Sequence, residues 1–140
     1  KYVTALSTLE NPTILPIDQN TARFYNRVSY DIDFGGMGLG DEAERLSAQL
    51  GNRSIVLMGA HGAMTVGQRV ADAFDDFYYL ERAAETLMTA YASGQKLRVL
   101  SHDVAETTAQ QWAEYGFDLR GAHLSEIKSI LDVEEPEFRH

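Results

Sequence analysis

Apolar and polar residues alternate strictly over residues 28–34 of the chain. A period of two puts successive side chains on opposite faces of a strand, so this segment is predicted to be a half-buried strand. The run Ile55-Val56-Leu57-Met58 is apolar throughout, which predicts a strand buried on both faces at 54–58. A turn at 59–62 and a second short strand at 63–66 follow, and together they predict a hairpin.

Apolar residues also recur every three or four positions over residues 68–93, from Val70 to Tyr91. This period is typical of a helix with one buried face, and it makes this segment the longest predicted element. Strands that alternate with helices indicate an α/β or mixed α+β layered architecture in a single domain, 1–140. Shorter helical segments are predicted at 1–10, 19–26, 41–50, 101–115 and 122–131, with Asp41 and Ser101 as N-caps, and residues 134–140 are predicted to be a frayed acidic tail.

The chain has 140 residues, with 12 Lys and Arg against 21 Asp and Glu, and a formal net charge of −9. This acidic balance argues against nucleic-acid partners and anionic membranes, which require a basic footprint. No apolar run approaches the roughly 20 residues that a membrane span needs. The chain has no cysteine, which excludes disulfides and thiolate metal sites and is consistent with a cytoplasmic location.

The strongest candidate for a chemical role is His61, which lies between Ala60 and Gly62 at the end of the predicted buried strand. Functional side chains are often placed where a rigid strand ends, and neutral imidazole is the commonest metal ligand. The alternative is a structural histidine whose ring is hydrogen-bonded within the hairpin, and local sequence alone favours this alternative. The other three histidines, at 102, 123 and 140, have no partner at helical spacing and are predicted to lie on the surface.

Two further segments have a possible chemical role. Residues 35–40 are glycine-rich and precede a predicted helix, as in phosphate-binding loops, but the segment contains no lysine and no G-x-x-x-x-G-K-[ST] pattern. A simple connection is therefore the favoured interpretation. Asp31 and Asp33 share one face of the predicted strand and could bind a cation or act in acid–base chemistry. A solvated strand face is the simpler expectation.

Several of these segments together resemble a known family. Residues 56–67, V-L-M-G-A-H-G-A-M-T-V-G, are similar to the L-x-N-H-G-x-x-x-x-G hairpin of the class II aldolase/adducin family. The sequences V-A-D-A-F at 70–74 and Y-Y-L-E-R-A-A-E at 78–85 resemble the long helix that follows this hairpin. The sequences L-P-I-D-Q-N at 15–20 and V-S-Y-D at 28–31 resemble a segment of the adducin-like branch. The resemblance covers residues 1–100.

The resemblance implies a three-layer α/β/α fold around a mainly antiparallel sheet. Enzymes of the family act on sugar-like hydroxy-carbonyl substrates as lyases or epimerases, through an enediolate that a divalent cation, usually zinc, stabilises. Three histidines hold the cation, two in a His-x-His pair and one in the hairpin, and the last of these corresponds to His61. Tyr30 matches a tyrosine region near the site and is a candidate catalytic residue. Ala60 stands where the family more often has Asn. A homo-oligomer is also implied, since relatives place their sites between subunits.

Family domains are longer than this chain, and the His-x-His pair is expected to precede residue 1. The resemblance therefore implies that residues 1–140 are the C-terminal portion of a domain and are inactive alone, because a single ligand cannot hold the cation. The alternative is a non-catalytic module for oligomerisation and interaction, as in the adducin heads, which share the fold. A His-x-His pair upstream would favour the enzyme over the module.

Overall fold

The computed structural model describes residues 1–33, 35–36, 40–115 and 118–139. Helices and strands alternate in the order that the hydrophobic pattern predicts, which confirms the α/β class. The elements are α1 (Tyr2–Ser7), α2 (Gln19–Ala22), β1 (Val28–Asp31), α3 (Glu42–Leu50), β2 (Ile55–Met58), β3 (Gly62–Thr65), α4 (Val70–Ala92), α5 (His102–Glu114), α6 (Leu119–Glu134) and a 3-10 helix (Pro136–Arg139).

The three strands form one sheet in the order β1-β2-β3. β2 lies in the centre, parallel to β1 and antiparallel to β3, so that Leu57 stands opposite both Tyr30 and Ala63. The sheet of the described part therefore contains one parallel and one antiparallel pairing. Val56 and Leu57 are both fully buried although they point to opposite faces, as expected for a continuous apolar run in a central strand.

Helices cover the sheet on both faces. On one face, the core cluster joins Ile55 and Leu57 to residues of α1 and α4, of which Leu6, Leu80 and Leu87 are fully buried. On the other face, α3 packs against β1 and β2. The resulting layers have the three-layer α/β/α order. Among the described helices, none is both long enough and apolar enough to cross a bilayer.

Strand β1 is shorter than the alternation at 28–34 predicts. Its pairing ends at Asp31, opposite Met58, where β2 itself gives way to the turn. Beyond that point the ladder has no partner strand, and Ile32 is 60% exposed. The prediction at Phe34 lies outside the described residues.

The C-terminal region contains a longer helix than the pattern predicts and a further short one. Helix α6 starts at Leu119 rather than 122, because the side chain of Asp118 accepts a hydrogen bond from the Gly121 N–H at 3.0 Å and caps the helix. Residues 136–139 of the segment predicted to be frayed form a 3-10 helix, in which Arg139 pairs with Asp132 through both carboxylate oxygens. His140 lies outside the described residues.

The N-terminus of α1 is capped from a distant part of the chain. Both carboxylate oxygens of Glu81, on α4, accept backbone hydrogen bonds, from Tyr2 at 2.6 Å and from Val3 at 2.8 Å. The first N–H groups of a helix have no hydrogen-bond partner within the helix. A negative charge at this end is also attracted to the positive end of the helix dipole. Glu81 thus attaches α1 to the long helix. Burial alone would raise the pKa of Glu81, but the Val3 and Tyr2 N–H bonds, together with the amino group of Lys1, lower the pKa below its usual range.

We expect the Glu81→Ala variant to lose roughly 1–2 kcal/mol of unfolding free energy at neutral pH, the usual cost of removing a helix cap. Because the folded-state pKa of Glu81 is lowered, its contribution is present above the unfolded value of about 4.3 and disappears as the pH falls through the folded value. Urea unfolding at neutral and acidic pH measures both effects. Glu85→Ala is the matched control, because Glu85 is on the same helix and pairs only with Arg82 among the described residues. Equal losses in the two variants would refute the capping role.

Candidate functional site

The turn between β2 and β3 holds His61 through two backbone contacts. The N–H of His61 donates to the carbonyl of Met58 at 3.2 Å, which closes the turn. The N–H of Ala60 donates to the carbonyl of Ser7 at 3.0 Å, which ties the turn to the end of α1. A further bond joins the Gly59 N–H to the Asp31 carbonyl at 2.7 Å. The turn is therefore fixed between β1 and α1.

The backbone of this turn requires unusual residues at two positions. Ala60 has a φ of 55°, in the left-handed region that Ala adopts only at a cost but that Asn tolerates better. A Cβ at Gly59 would lie 2.6 Å from the carbonyl oxygen of Ile32, so only Gly allows this close approach. The positive φ at residue 60 explains why Asn would suit this position better than Ala, in agreement with the Asn that the family resemblance implies here.

The imidazole of His61 is exposed, and it makes no hydrogen bond to any described residue. An exposed ring at a fixed turn, with no hydrogen bond to a described residue, suits a metal ligand. Over the described ranges, however, no three residues of the types His, Cys, Asp and Glu are close enough together to hold a metal ion. His61 therefore fits the implied zinc as one ligand, and the described part of the chain does not supply a complete set.

Tyr30, the candidate catalytic residue, has its hydroxyl engaged within the fold. The oxygen accepts a hydrogen bond from the Ile14 N–H at 3.0 Å, and the ring packs against the hydrophobic core. Burial raises the pKa of Tyr30, against the smaller opposing effects of the Ile14 N–H and the charge of Arg53. This geometry attaches the segment before α2 to strand β1. A catalytic role for Tyr30 stays a prediction.

The acidic strand face is not solvated as expected. Asp31 is 9% exposed and forms an ion pair with Arg45 of α3, so this prediction was wrong for Asp31. Asp33 follows the strand and is exposed, as predicted. The glycine-rich segment at 35–40 is only partly described, because residues 37–39 lie outside the described ranges.

The structure contains a largely buried charge cluster that the sequence did not predict. Arg23 donates to Asp75 at 2.6 Å and to Asp76 at 2.9 Å, and Arg120 reaches Asp76 at 3.2 Å. His123 contacts Asp75 through Nδ1 at 2.8 Å. The prediction of a surface position was thus wrong for His123, whose ring lies 4.6 Å from the Tyr78 ring, between centroids.

The pattern offered one weak signal for this cluster. Asp75 and Asp76 are 5% exposed, although neither is one of the apolar residues from which the buried face of this helix is predicted. Two adjacent acids near the apolar stripe of a helix indicate buried partners, but the partners, at 23, 120 and 123, are distant in sequence. His102, on α5, is exposed as predicted.

The chain is similar in sequence to a known protein family. The family model described as class II aldolase and adducin N-terminal domain matches residues 1–88. A protein of Caulobacter vibrioides, provisionally named as an aldolase class 2 protein, is 26% identical over 109 residues, which are 77% of this chain and 42% of the relative.

Two solved structures resemble the fold. An aldolase II superfamily protein from Pseudomonas syringae superposes with a TM-score of 0.89 and 25% identity, covering 100% of this chain and 56% of its own. An L-fuculose 1-phosphate aldolase from Glaciozyma antarctica superposes with a TM-score of 0.76 and 23% identity, covering 96% of this chain and 51% of its own. The chain thus spans about half the length of these proteins.

Two substitutions in the turn are expected to act in opposite directions. Gly59→Ala should destabilise the fold by roughly 1–3 kcal/mol, because the new methyl group would clash with the backbone of Ile32. Ala60→Asn should stabilise it by about 0.5–1 kcal/mol, because Asn adopts a positive φ more easily than Ala. Urea unfolding of both variants beside the unsubstituted chain measures the difference. Unchanged stability of Gly59→Ala would show that the turn can move away from β1.

Proposed function

The chain belongs to the class II aldolase and adducin N-terminal domain family. From this membership we propose that the intact protein is a metal-dependent lyase or epimerase acting on a small, sugar-like hydroxy-carbonyl substrate. The name of the Glaciozyma antarctica neighbour, a sugar-phosphate aldolase, supports this substrate class. We propose zinc as the metal and a homo-oligomeric assembly, in keeping with what the family resemblance implies. We also propose a cytoplasmic location, with which the lack of cysteine is consistent.

The observation that carries the proposal is the presentation of His61. His61 is exposed just after a strand whose residues 55–57 are buried, and bonds from Gly59 to Asp31 and from Ala60 to Ser7 fix the backbone before it. A ligand on such a support keeps its position without help from the metal, which favours binding. A structural histidine would be expected to bond to the hairpin, and this ring bonds to no described residue.

In this proposal, His61 binds the cation through a neutral ring nitrogen, and the other ligands are a His-x-His pair elsewhere in the intact protein. A divalent cation, when bound, acts as a Lewis acid that polarises a substrate carbonyl. The described residues have a supporting task, which is to hold the imidazole in place. Through its bond to Ile14, Tyr30 steadies strand β1, whose last carbonyl in turn fixes Gly59. We therefore propose that Tyr30 positions the turn, and a direct part in the chemistry would need its hydroxyl to leave Ile14.

Zinc content of the intact protein tests the role of His61. We expect the His61→Ala variant to lose most of its bound zinc, because removal of one of three protein ligands leaves too few to retain the ion. The number of zinc ions per protein chain is measured by elemental analysis after dialysis against metal-free buffer. His102→Ala is the matched control, because His102 is also an exposed histidine but lies on α5. Equal zinc content in the two variants would reject His61 as a ligand.

The intact protein and the 140-residue chain are expected to differ. The chain alone should bind zinc weakly and show no lyase or epimerase activity, since no set of three ligands occurs in its described part. Isothermal titration with zinc chloride and light scattering on both proteins provide the comparison. An intact protein that forms oligomers but binds no zinc would support the adducin-like interaction module instead. An intact protein that is only monomeric would contradict the assembly proposed here.

A further inference from the structure

A cavity of about 670 Å³ lies where α4, α5 and α6 meet the end of α2. Its volume falls in the range of small-molecule binding sites. The residues that line it do not include any member of the β2–β3 hairpin, so it is separate from the turn that presents His61. Its lining includes Arg23, Tyr79, Trp112, Ala113, Arg120 and His123.

Arg23 lines this space and carries hydrogen-bond donors that no described residue accepts. The residue is 7% exposed, and its Nη2 donates to both Asp75 and Asp76. Its Nε and Nη1 make no hydrogen bond to a described residue. Arg23 lines this cavity and a neighbouring one of about 160 Å³.

The charges around Arg23 limit what the cavity can accept. Arg23 and Arg120 are positive, and Asp75 and Asp76, which both bond to Arg23, are negative. The four charges balance, and the two carboxylates are already paired. A ligand with one negative group can use the remaining donors of Arg23. The lining also includes Arg69, which pairs with Asp72 and Asp118, and the carboxylate of Glu126. A dianion would face these carboxylates with no further uncommitted cation among the described lining residues.

Aromatic rings form the adjoining wall. The Tyr79 and Trp112 rings lie 6.0 Å apart between centroids, and the guanidinium carbon of Arg23 is 4.7 Å from the first and 5.3 Å from the second. The Trp112 Nε1–H donates to the Gln19 carbonyl at 3.3 Å, so the indole is fixed by its polar edge. The rings offer apolar surface beside a cation, which suits a ligand with an apolar body next to its anionic group.

We propose that this cavity binds a small monocarboxylate with an apolar or aromatic body. The carboxylate accepts hydrogen bonds from Nε and Nη1 of Arg23, and the body packs against Tyr79 and Trp112. Bonds from a guanidinium to an anionic oxygen are stronger than neutral ones, so the charged group determines the affinity. This site does not depend on the function proposed above, because it shares no residue with the turn of His61.

Trp112 is the single tryptophan of the chain, so its fluorescence reports on the cavity directly. The test is a titration of the 140-residue chain with 3-phenylpropionate and with its uncharged amide. We expect a saturable change with the carboxylate and an affinity about tenfold lower with the amide. Ala113→Phe, which fills the cavity without altering a charge, should weaken carboxylate binding by about tenfold or more. Thr107→Phe, on the same helix but outside the cavity lining, should bind as the unsubstituted chain does.

Three results would overturn the proposal. These are no saturable response to the carboxylate, equal affinity for the amide, and unchanged binding by Ala113→Phe. Circular dichroism and urea unfolding of each variant establish that it is folded. Arg23 is not substituted in this test. Its removal would leave two buried carboxylates without their main partner and could unfold the chain for that reason alone.

Discussion

Everything near the β2–β3 turn depends on the hydrogen bonding of β2, which pairs with β1 on one side and with β3 on the other. Its residues Val56 and Leu57 have no exposure at all, so the strand cannot shift without exposing apolar surface or breaking a ladder. The position of the turn follows from this constraint, since β2 ends at Met58 and the chain must reverse there. The same constraint places His61 beyond the C-terminal end of the central strand.

The turn is also held from outside the hairpin. Ser7, at the end of α1, accepts the N–H of Ala60, and α1 in turn is capped by Glu81 of α4. The long helix therefore supports His61 indirectly, through a carboxylate, a short helix and one backbone bond. This chain of contacts gives a physical reason for the occurrence of the long helix and the hairpin together in the family resemblance.

The cluster around Arg23 uses charge in a different way. Arg23, Asp75 and Asp76 are buried beside aromatic rings, with the partly exposed Arg120 next to them, and an unpaired ion there would cost several kcal/mol. Such a cluster fixes how α2, α4 and α6 pack, because each charge needs partners from other helices. It also leaves a cavity beside donors that no described residue accepts, whereas an apolar core of similar size would fill this space completely.

Local pattern determined much of this protein. The alternation at 28–31, the apolar run of β2 and the helical period of α4 were sufficient to predict those elements, because a period of two or of 3.6 follows directly from backbone geometry. The Gly and His residues of the turn were identified in the same way. Where the period failed, at Ile32, the cause was the end of the partner strand, which lies more than twenty residues away in sequence.

Tertiary structure alone decided the partners of the charged and polar groups. That Asp31 pairs with Arg45, that Glu81 caps α1, and that His123 is enclosed beside Asp75 could not be deduced from spacing. The reason is physical: an ionised side chain on a helix has the same local sequence signal whether it faces water or a buried partner. The sequence by itself determined which elements form and where the imidazole of His61 is presented, and the packing of distant helices decided which charges are buried and where a cavity remains.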